Sequence, residues 1–342
     1  MNRQWLLAKR PQGAVDSQCF SYHESDDLAG RGKPGQLLIQ WELLLCAPTI
    51  RNWITGKRDS YHPAVDIGEP ILAPALGRII ESNHPDYTVG QRISGIGSWQ
   101  DQQWIDPAGG IHLIPENITS VDAMGVYGLN ALTAYCGMAR YGVPKEGETL
   151  LVSGAAGSVG SVAIQIGRIL GCRVVGIAGG AEKLRWLRED CGIADVIDYK
   201  NDDVAQRVDQ LLPDGIDIYF DNVGGEMLEI AAARMRPLGR ILLCGQISSY
   251  DSGKAIVAPP LDMMRLIYGE ISLHGFLVTR HADLYPKALA DLANWNSQGL
   301  LAHREDVRTG MAKVPETYSA LFTGSNAGTL LARISDGKGG LL

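Results

Sequence analysis

The feature that most constrains the fold is a strand that runs through a small-residue turn into a helix at residues 150–160, LLVSGAAGSVG. Gly157 lets a backbone approach a pyrophosphate, and Gly160 lets the helix pack on the strand. Free N–H groups at the helix N-terminus can hold the anion. Ala155 stands where the first glycine of a G-x-G-x-x-G fingerprint is usual. The turn predicts a dinucleotide site, and the alternative is a turn that serves packing alone.

Short apolar strands alternate with amphipathic helices from residue 148 to about 277, a stretch that begins with this turn. Strands buried on both faces are typical of a parallel sheet covered by helices on each side. The pattern therefore predicts an α/β fold with a Rossmann-type doubly wound parallel sheet. The predicted strands are 149–153, 173–178, 194–199, 216–221, 240–245 and 271–277.

The chain before and after this region reads differently. Residues 1–125 contain short β-like runs, such as 36–45 and 71–80, separated by Gly, Pro and Asp turns. The tail has an amphipathic stretch and then a strand-like run at 329–334. A length of 342 residues also suits about two domains. We expect a strand-rich catalytic domain over 1–125, completed by 303–342, and a dinucleotide-binding domain over 126–302.

Composition excludes some classes of partner. The net charge of −7 opposes binding to a nucleic-acid backbone, which requires Lys and Arg to neutralise phosphates. The chain has no stretch of about 18 apolar residues and no recognisable secretion signal, so we expect no membrane partner. Its six cysteines form no C-x-x-C pair and lie mostly in apolar runs. These features predict a cytoplasmic protein.

The end of the second predicted strand indicates which cofactor is bound. An NAD-binding protein usually places Asp or Glu there to accept the ribose hydroxyls, but residues 178–180 are Ala-Gly-Gly. Lys183 follows on the same turn and can meet a 2′-phosphate. The pattern favours NADP(H) over NAD, and the alternative is that Lys183 is only a solvated residue of the first helical turn.

The first domain lacks the ligands that a zinc alcohol dehydrogenase needs. His62 and His84 have no cysteine at metal-ligand spacing, and no four-cysteine lobe is present. We therefore expect no metal site. Without an electrophilic metal, hydride addition to an already polarised acceptor is favoured over oxidation of a simple alcohol.

Several motifs together resemble one family over nearly the whole chain. They are ESNHPDY at 81–87, LTAY at 132–135, KEGET at 145–149, GGAEK at 179–183, FDNVGG at 220–225 and CGQISSY at 244–250. The chain resembles the zinc-independent medium-chain dehydrogenase/reductases, in the branch of prostaglandin reductase, plant alkenal double-bond reductases and bacterial curcumin reductase.

This resemblance implies NADPH-dependent reduction of the carbon–carbon double bond of an α,β-unsaturated ketone or aldehyde, with a GroES-like first domain. It implies that Tyr250 hydrogen-bonds the substrate oxygen and that Lys183 and Tyr199 hold the 2′-phosphate. The cofactor residues that it implies are Thr133, Ala156, Gly157, Ser158, Val159, Gly160, Gly179, Lys183, Tyr199, Asn222, Cys244, Ile247, Phe276, Val278 and Asn326.

The departures from the family lie on the substrate side. The family commonly carries Asp-Pro-Tyr-Met-Arg on an early strand, where this chain has Ala-Pro-Thr-Ile-Arg at 47–51. Thr49 and Arg51 are the expected substrate-binding positions. Leu-Asn-Ala at 129–131 stands in place of Met-Pro-Gly. Trp53, Tyr61 and Trp99 are expected either to shape the pocket or only to pack.

Two other functions remain open at this point. A zinc-free quinone reductase shares the fold and the cofactor, and a catalytically idle NADPH-binding protein would have a macromolecular partner. The resemblance also implies a homodimer joined through the sheet edges of the two cofactor domains.

Overall fold

The computed structural model describes residues 1–56, 62–250, 261–337 and 340–342. These residues form two compact units. The first contains residues 1–56, 62–124, Tyr250, 305–337 and 340–342. The second contains residues 125–249 and 261–304.

The described strands, in chain order, are β1 (Asn2–Leu7), β2 (Phe20–Ser25), β3 (Leu37–Leu45), β4 (Leu72–Ser82), β5 (Arg92–Ser98), β6 (Gln102–Ile105), β7 (His112–Ile114), β8 (Thr149–Ser153), β9 (Arg173–Ala178), β10 (Asp195–Asp198), β11 (Ile216–Asp221), β12 (Met235–Leu243), β13 (Ser272–Gly275), β14 (Glu305–Thr309) and β15 (Thr329–Arg333).

The described α-helices are α1 (Ile50–Ile54), α2 (Ser120–Met124), α3 (Leu129–Gly137), α4 (Gly160–Ile169), α5 (Ala181–Glu189), α6 (Val204–Leu211), α7 (Glu226–Ala232), α8 (Ile247–Tyr250), α9 (Met263–Tyr268), α10 (Tyr285–Ser297) and α11 (Val314–Thr323). None of them is both long enough and apolar enough to span a bilayer.

The second unit is built on a six-stranded sheet in the order β10-β9-β8-β11-β12-β13, and every neighbouring pair is parallel. This is the strand order of a dinucleotide-binding sheet. Leu150 and Val152 of β8 pack into one core, while Leu151 packs into a second core. Because a strand's side chains alternate between faces, the two cores lie on opposite faces of the sheet. The predicted doubly wound parallel sheet is confirmed.

The fifth strand of this sheet differs most from its prediction. The apolar run predicted 240–245, but β12 begins at Met235 and ends at Leu243. Its first residues include Leu238, whose φ is +63°, and the register against β11 shifts between Ile216 and Ile218. An irregular, partly exposed segment has no apolar periodicity, so the sequence could not indicate that it pairs.

The first unit is rich in strands. Its main sheet has seven strands, in the order β14-β15-β3-β4-β5-β7 with β6 paired to β3, and β1 pairs with β2. Every residue of β3 is buried, because side chains pack against both of its faces. The strand β15, from near the end of the chain, lies antiparallel to β3.

Candidate functional site

The small-residue turn leaves the carboxyl end of β8 and enters α4. Gly154 has a φ of +61°, and the backbone N–H of Gly157 donates to its carbonyl oxygen at 2.9 Å. A Cβ on Gly160 would lie 2.3 Å from that same oxygen, whereas one on Gly157 would lie at 3.2 Å. Gly160 is therefore required for packing, and Gly157 leaves a bare backbone at the helix N-terminus. Such a cradle fits a pyrophosphate.

Asn222 follows β11 and lies beside this turn. Its side-chain N–H donates to the Ser153 carbonyl oxygen at 2.8 Å, and its backbone N–H donates to the Ser153 hydroxyl at 2.9 Å. The strand order reverses between β8 and β11, which places both residues at the topological switch point. Sheets of this kind bind ligands outside the carboxyl ends of their strands at that point.

A buried carboxylate holds this part of the site together. Asp221 Oδ1 accepts hydrogen bonds from the hydroxyls of Ser153 and Tyr219, both at 2.8 Å. It also accepts from the backbone N–H groups of Val223 and Gly224. Burial, and then the Asp221 charge, raise the pKa of Tyr219 well above its usual range, which keeps this phenol a hydrogen-bond donor.

The segment after β12 packs against the end of β11. The N–H groups of Cys244 and Ile247 donate to the carbonyl oxygens of Asp221 and Asn222, at 2.9 and 3.3 Å. The structure thus brings three predicted cofactor residues together: Asn222, Cys244 and Ile247. Burial and the nearby Asp221 raise the pKa of the Cys244 thiol to about 12, so it is not a thiolate nucleophile at neutral pH. The helix α8 ends at Tyr250, which is half-buried.

A second group of predicted residues lies where β9 and β10 end. Tyr199 follows β10 directly and is 53% exposed. A Cβ on Gly179 would lie 2.5 Å from Tyr199 Cε1, so the ring lies on this glycine. Lys183 is half-buried in the first turn of α5, where burial, and then the charge of Lys200, lower its pKa. Two cations beside an aromatic ring suit the phosphate of a nucleotide.

The remaining predicted residues of the second unit lie on α3 and after β13. The Thr133 hydroxyl donates to the Leu129 carbonyl oxygen at 2.7 Å. Phe276 follows β13, and its ring contacts Gly137 and lies 6.2 Å from the ring of Phe220. Val278 begins the next 3₁₀ segment, and its carbonyl oxygen accepts a hydrogen bond from the Tyr285 hydroxyl at 3.2 Å.

Besides Tyr250, three predicted residues belong to the first unit: Thr49, Arg51 and Asn326. The family pattern led us to expect Thr49 and Arg51 on a strand. The structure differs, because β3 ends at Leu45 and Thr49 is the N-cap of α1. Arg51 is buried and donates to the Gly13 carbonyl oxygen at 2.6 Å. Asn326 lies in the loop after α11 and donates to the Gly328 carbonyl oxygen at 3.1 Å.

The structure describes two of the three aromatic residues that we considered as pocket residues. Trp53 and Trp99 are buried in the main core of the first unit. The third, Tyr61, lies outside the described residues. Within the ranges that are described, no three His, Cys, Asp or Glu side chains come together as a possible metal site.

Sequence reasoning missed the residues that support the site. Ser153 and Asp221 are joined across 68 positions of chain, so no local pattern connects them. Lys200 directly follows Tyr199, which is predicted to hold the 2′-phosphate, and Asp198 is the last residue of β10. The signal that could have indicated Lys200 is a basic residue just after the end of a predicted strand.

Two family models and several known proteins match this chain. Residues 158–294 match the family described as zinc-binding dehydrogenase, and residues 3–113 match the N-terminal domain of oxidoreductase. The NADPH-dependent curcumin reductase of Escherichia coli (strain K12) is 36% identical over 98% of this chain and 97% of its own. The chain belongs to the medium-chain dehydrogenase/reductases. Its matches lie in the branch of curcumin, alkenal and prostaglandin reductases.

Two further members support this placement among the medium-chain dehydrogenase/reductases. The NADP(+)-dependent 2-alkenal reductase of Nicotiana tabacum is 33% identical over 85% of each chain. The crystal structure of CurA from Vibrio vulnificus in complex with NADPH superposes with a TM-score of 0.90. It is 33% identical and covers 97% of this chain and 98% of its own.

Substitutions at Gly157 and Gly160 should separate the contribution of the turn to folding from its contribution to dinucleotide binding. Gly160→Ala places a Cβ against a backbone oxygen, so we expect a loss of stability of about 1–3 kcal/mol. Gly157→Ala should lose less stability, because its Cβ would lie 3.2 Å from the same oxygen, but should bind dinucleotide less tightly, because the methyl group is added where the backbone approaches the pyrophosphate. Thermal unfolding and titration calorimetry measure the two effects. Equal stability for both variants would contradict the packing role of Gly160.

Proposed function

We propose that this protein is an NADP-dependent oxidoreductase that reduces the double bond of α,β-unsaturated ketones or aldehydes by hydride transfer to the β-carbon. The observation that carries the proposal is the nucleotide site at the switch point, with cations rather than an acid where β9 ends. Its relatives include a curcumin reductase, a 2-alkenal reductase and (+)-pulegone reductase.

The residues present fit NADP(H). We assign the pyrophosphate to the turn from Ala156 to Gly160, and the 2′-phosphate to Lys183 and Tyr199, beside Gly179. Asn222, Cys244 and Ile247 would hold the nicotinamide end, together with Thr133, Phe276, Val278 and Asn326. When bound, NADPH supplies the hydride. The chain's own task is to orient the two reactants and to stabilise charge.

In this proposal Tyr250 is the group that acts on the substrate. Hydride addition at the β-carbon moves negative charge onto the carbonyl oxygen. A phenol that donates a hydrogen bond to that oxygen stabilises the enolate more strongly than the neutral ketone. The α-carbon is then protonated from solvent or through Tyr250. No metal ion is needed, because the acceptor is already polarised.

On the substrate side we propose that Thr49 contacts the acceptor. Arg51 would act by positioning, because its guanidinium group donates to the Gly13 carbonyl oxygen and so ties α1 to the preceding loop. A threonine in place of the family's tyrosine removes an aromatic ring from the substrate side.

We also propose a cytoplasmic homodimer. The strand β13 forms one edge of the second unit's sheet, and Leu273 on it is 37% exposed. Nearby in the chain, α9 exposes apolar side chains, including Ile267 at 63% and Tyr268 at 79%. An apolar edge of this kind is usually covered. All six cysteines are free thiols, which suits a reducing compartment, and cell fractionation would test the location.

The activity is tested by following NADPH oxidation with an alkenal, an aryl enone, a quinone and no acceptor, with NADH in parallel. We expect turnover of the enones with NADPH preferred, the saturated carbonyl as product, and no effect of a chelator. Turnover of the quinone alone would favour a quinone reductase. Tight NADPH binding without any turnover would exclude an enzyme of this kind.

Replacing Tyr250 tests the proposed hydrogen-bond donor. Tyr250→Phe should lower kcat about 100-fold or more, as the loss of one oxyanion donor does, and should leave NADPH binding nearly unchanged. Tyr22→Phe, which removes a hydroxyl from a 42%-exposed tyrosine of the first unit, is the matched control. If Tyr250→Phe keeps full kcat, the catalytic role is wrong.

Sedimentation equilibrium tests the dimer. We expect a mass twice that of the 36.9 kDa chain. Leu273→Lys should shift the mass toward that of one chain, because a charge on an edge strand opposes pairing. Val89→Lys, at a 63%-exposed position of the first unit, should leave the dimer intact. A monomeric unaltered protein would refute the proposal.

A further inference from the structure

A buried carboxylate joins the two turns at the phosphate end of the site. Asp198 ends β10, and its Oδ1 accepts the backbone N–H groups of Gly180 and Lys200, both at 3.1 Å. Its Oδ2 accepts the side-chain N–H of Asn201 at 2.8 Å. These bonds fix the backbone of Lys200 relative to the turn that leads from β9 into α5.

The side chain of Lys200 is held over the same turn. A Cβ on Gly179 would lie 3.0 Å from Lys200 Cε and 2.5 Å from Tyr199 Cε1. The aliphatic stem of Lys200 therefore lies against Gly179 beside the Tyr199 ring, while the residue as a whole is exposed. A lysine arranged in this way packs its stem on the protein and leaves its ammonium group available to an anion.

Lys200 lies close enough to Lys183 for its charge to act on that residue. The charge of Lys200 is the second cause, after burial, of the lowered pKa of Lys183. Holding two cations together without an anion is unfavourable, and a phosphate, which carries close to two negative charges at neutral pH, relieves the repulsion.

The acid beside Lys183 is already engaged. Arg304 Nη2 lies 2.6 Å from Glu182 Oε1, and this hydrogen bond is the main cause of the lowered pKa of Glu182. Because Arg304 offsets the charge of Glu182, this carboxylate opposes an incoming phosphate less than a lone acid would. Arg304 therefore compensates the carboxylate that directly precedes Lys183 in the chain.

We propose that Lys200 is a specificity-determining residue that binds the 2′-phosphate together with Lys183 and so selects NADPH over NADH. The inference rests on the proposed function for its cofactor. It adds to the expected pair of Lys183 and Tyr199 a second cation, which Asp198 places. A singly cationic site would hold the same phosphate less tightly.

Calorimetric titration with adenosine 2′,5′-bisphosphate and adenosine 5′-monophosphate tests this role, because the two probes differ only in the 2′-phosphate. Lys200→Gln should weaken binding of the bisphosphate about tenfold and leave the monophosphate unchanged. Lys200→Arg keeps the charge and should stay within about threefold of the unaltered protein. The ratio of kcat/KM for NADPH over NADH should fall in Lys200→Gln by a similar factor.

Lys145→Gln is the matched control, because it removes one exposed lysine before the amino end of β8, at the opposite edge of the sheet. It should change neither probe's affinity. The inference is overturned if Lys200→Gln binds the bisphosphate as tightly as the unaltered protein, or if both probes weaken equally. Failure of the unaltered chain to bind the bisphosphate would overturn the cofactor assignment as well, whereas an inactive enzyme that shows the Lys200 dependence would leave this inference standing.

Discussion

The buried carboxylate of Asp221 is the interaction on which the candidate site depends. One oxygen, Oδ1, accepts four hydrogen bonds, from two hydroxyls and two backbone N–H groups. A buried charge is tolerated only where it is hydrogen-bonded in this way. Its bonds hold the end of β8, through Ser153, against the turn after β11. The segment that leads to Tyr250 then packs on that turn.

The glycine turn and the Asp221 network lie in the second unit, whereas the proposed substrate positions lie in the first. The turn from Gly154 to Gly160 and the Asp221 network are made of backbone and buried atoms, which tolerate little change. Thr49 and Arg51, for which we propose roles on the substrate side, lie at the start of the short helix α1 in the first unit. One departure from the family pattern, at residues 47–51, falls there, whereas the other, at residues 129–131, lies at the start of α3 in the second unit.

Charge at the phosphate end illustrates a second constraint. The strand β9 ends without an acid, and two neighbouring carboxylates are engaged: Asp198 by backbone N–H groups, and Glu182 by Arg304. A site of this kind costs some stability when it holds no anion, which is a common compromise at binding sites.

The sequence by itself determined the features that depend on local pattern. The glycine turn, the parallel sheet and the position of Lys183 follow from the spacing of glycines, apolar residues and charges within short windows. Even so, the predicted limits of β12 were wrong, and Thr49 lies at a helix and not on the expected strand. An irregular strand and a short helix carry little periodic signal.

Only the tertiary structure decided which distant residues meet. The pairing of Ser153 with Asp221, the contact of Lys200 with Gly179 and the bond from Arg51 to Gly13 each join separate segments of chain. Such contacts are set by strand order and register, which arise from packing the whole sheet. A sequence window contains no record of which strand will become its neighbour, and this is the physical reason that the supporting residues were found only in the fold.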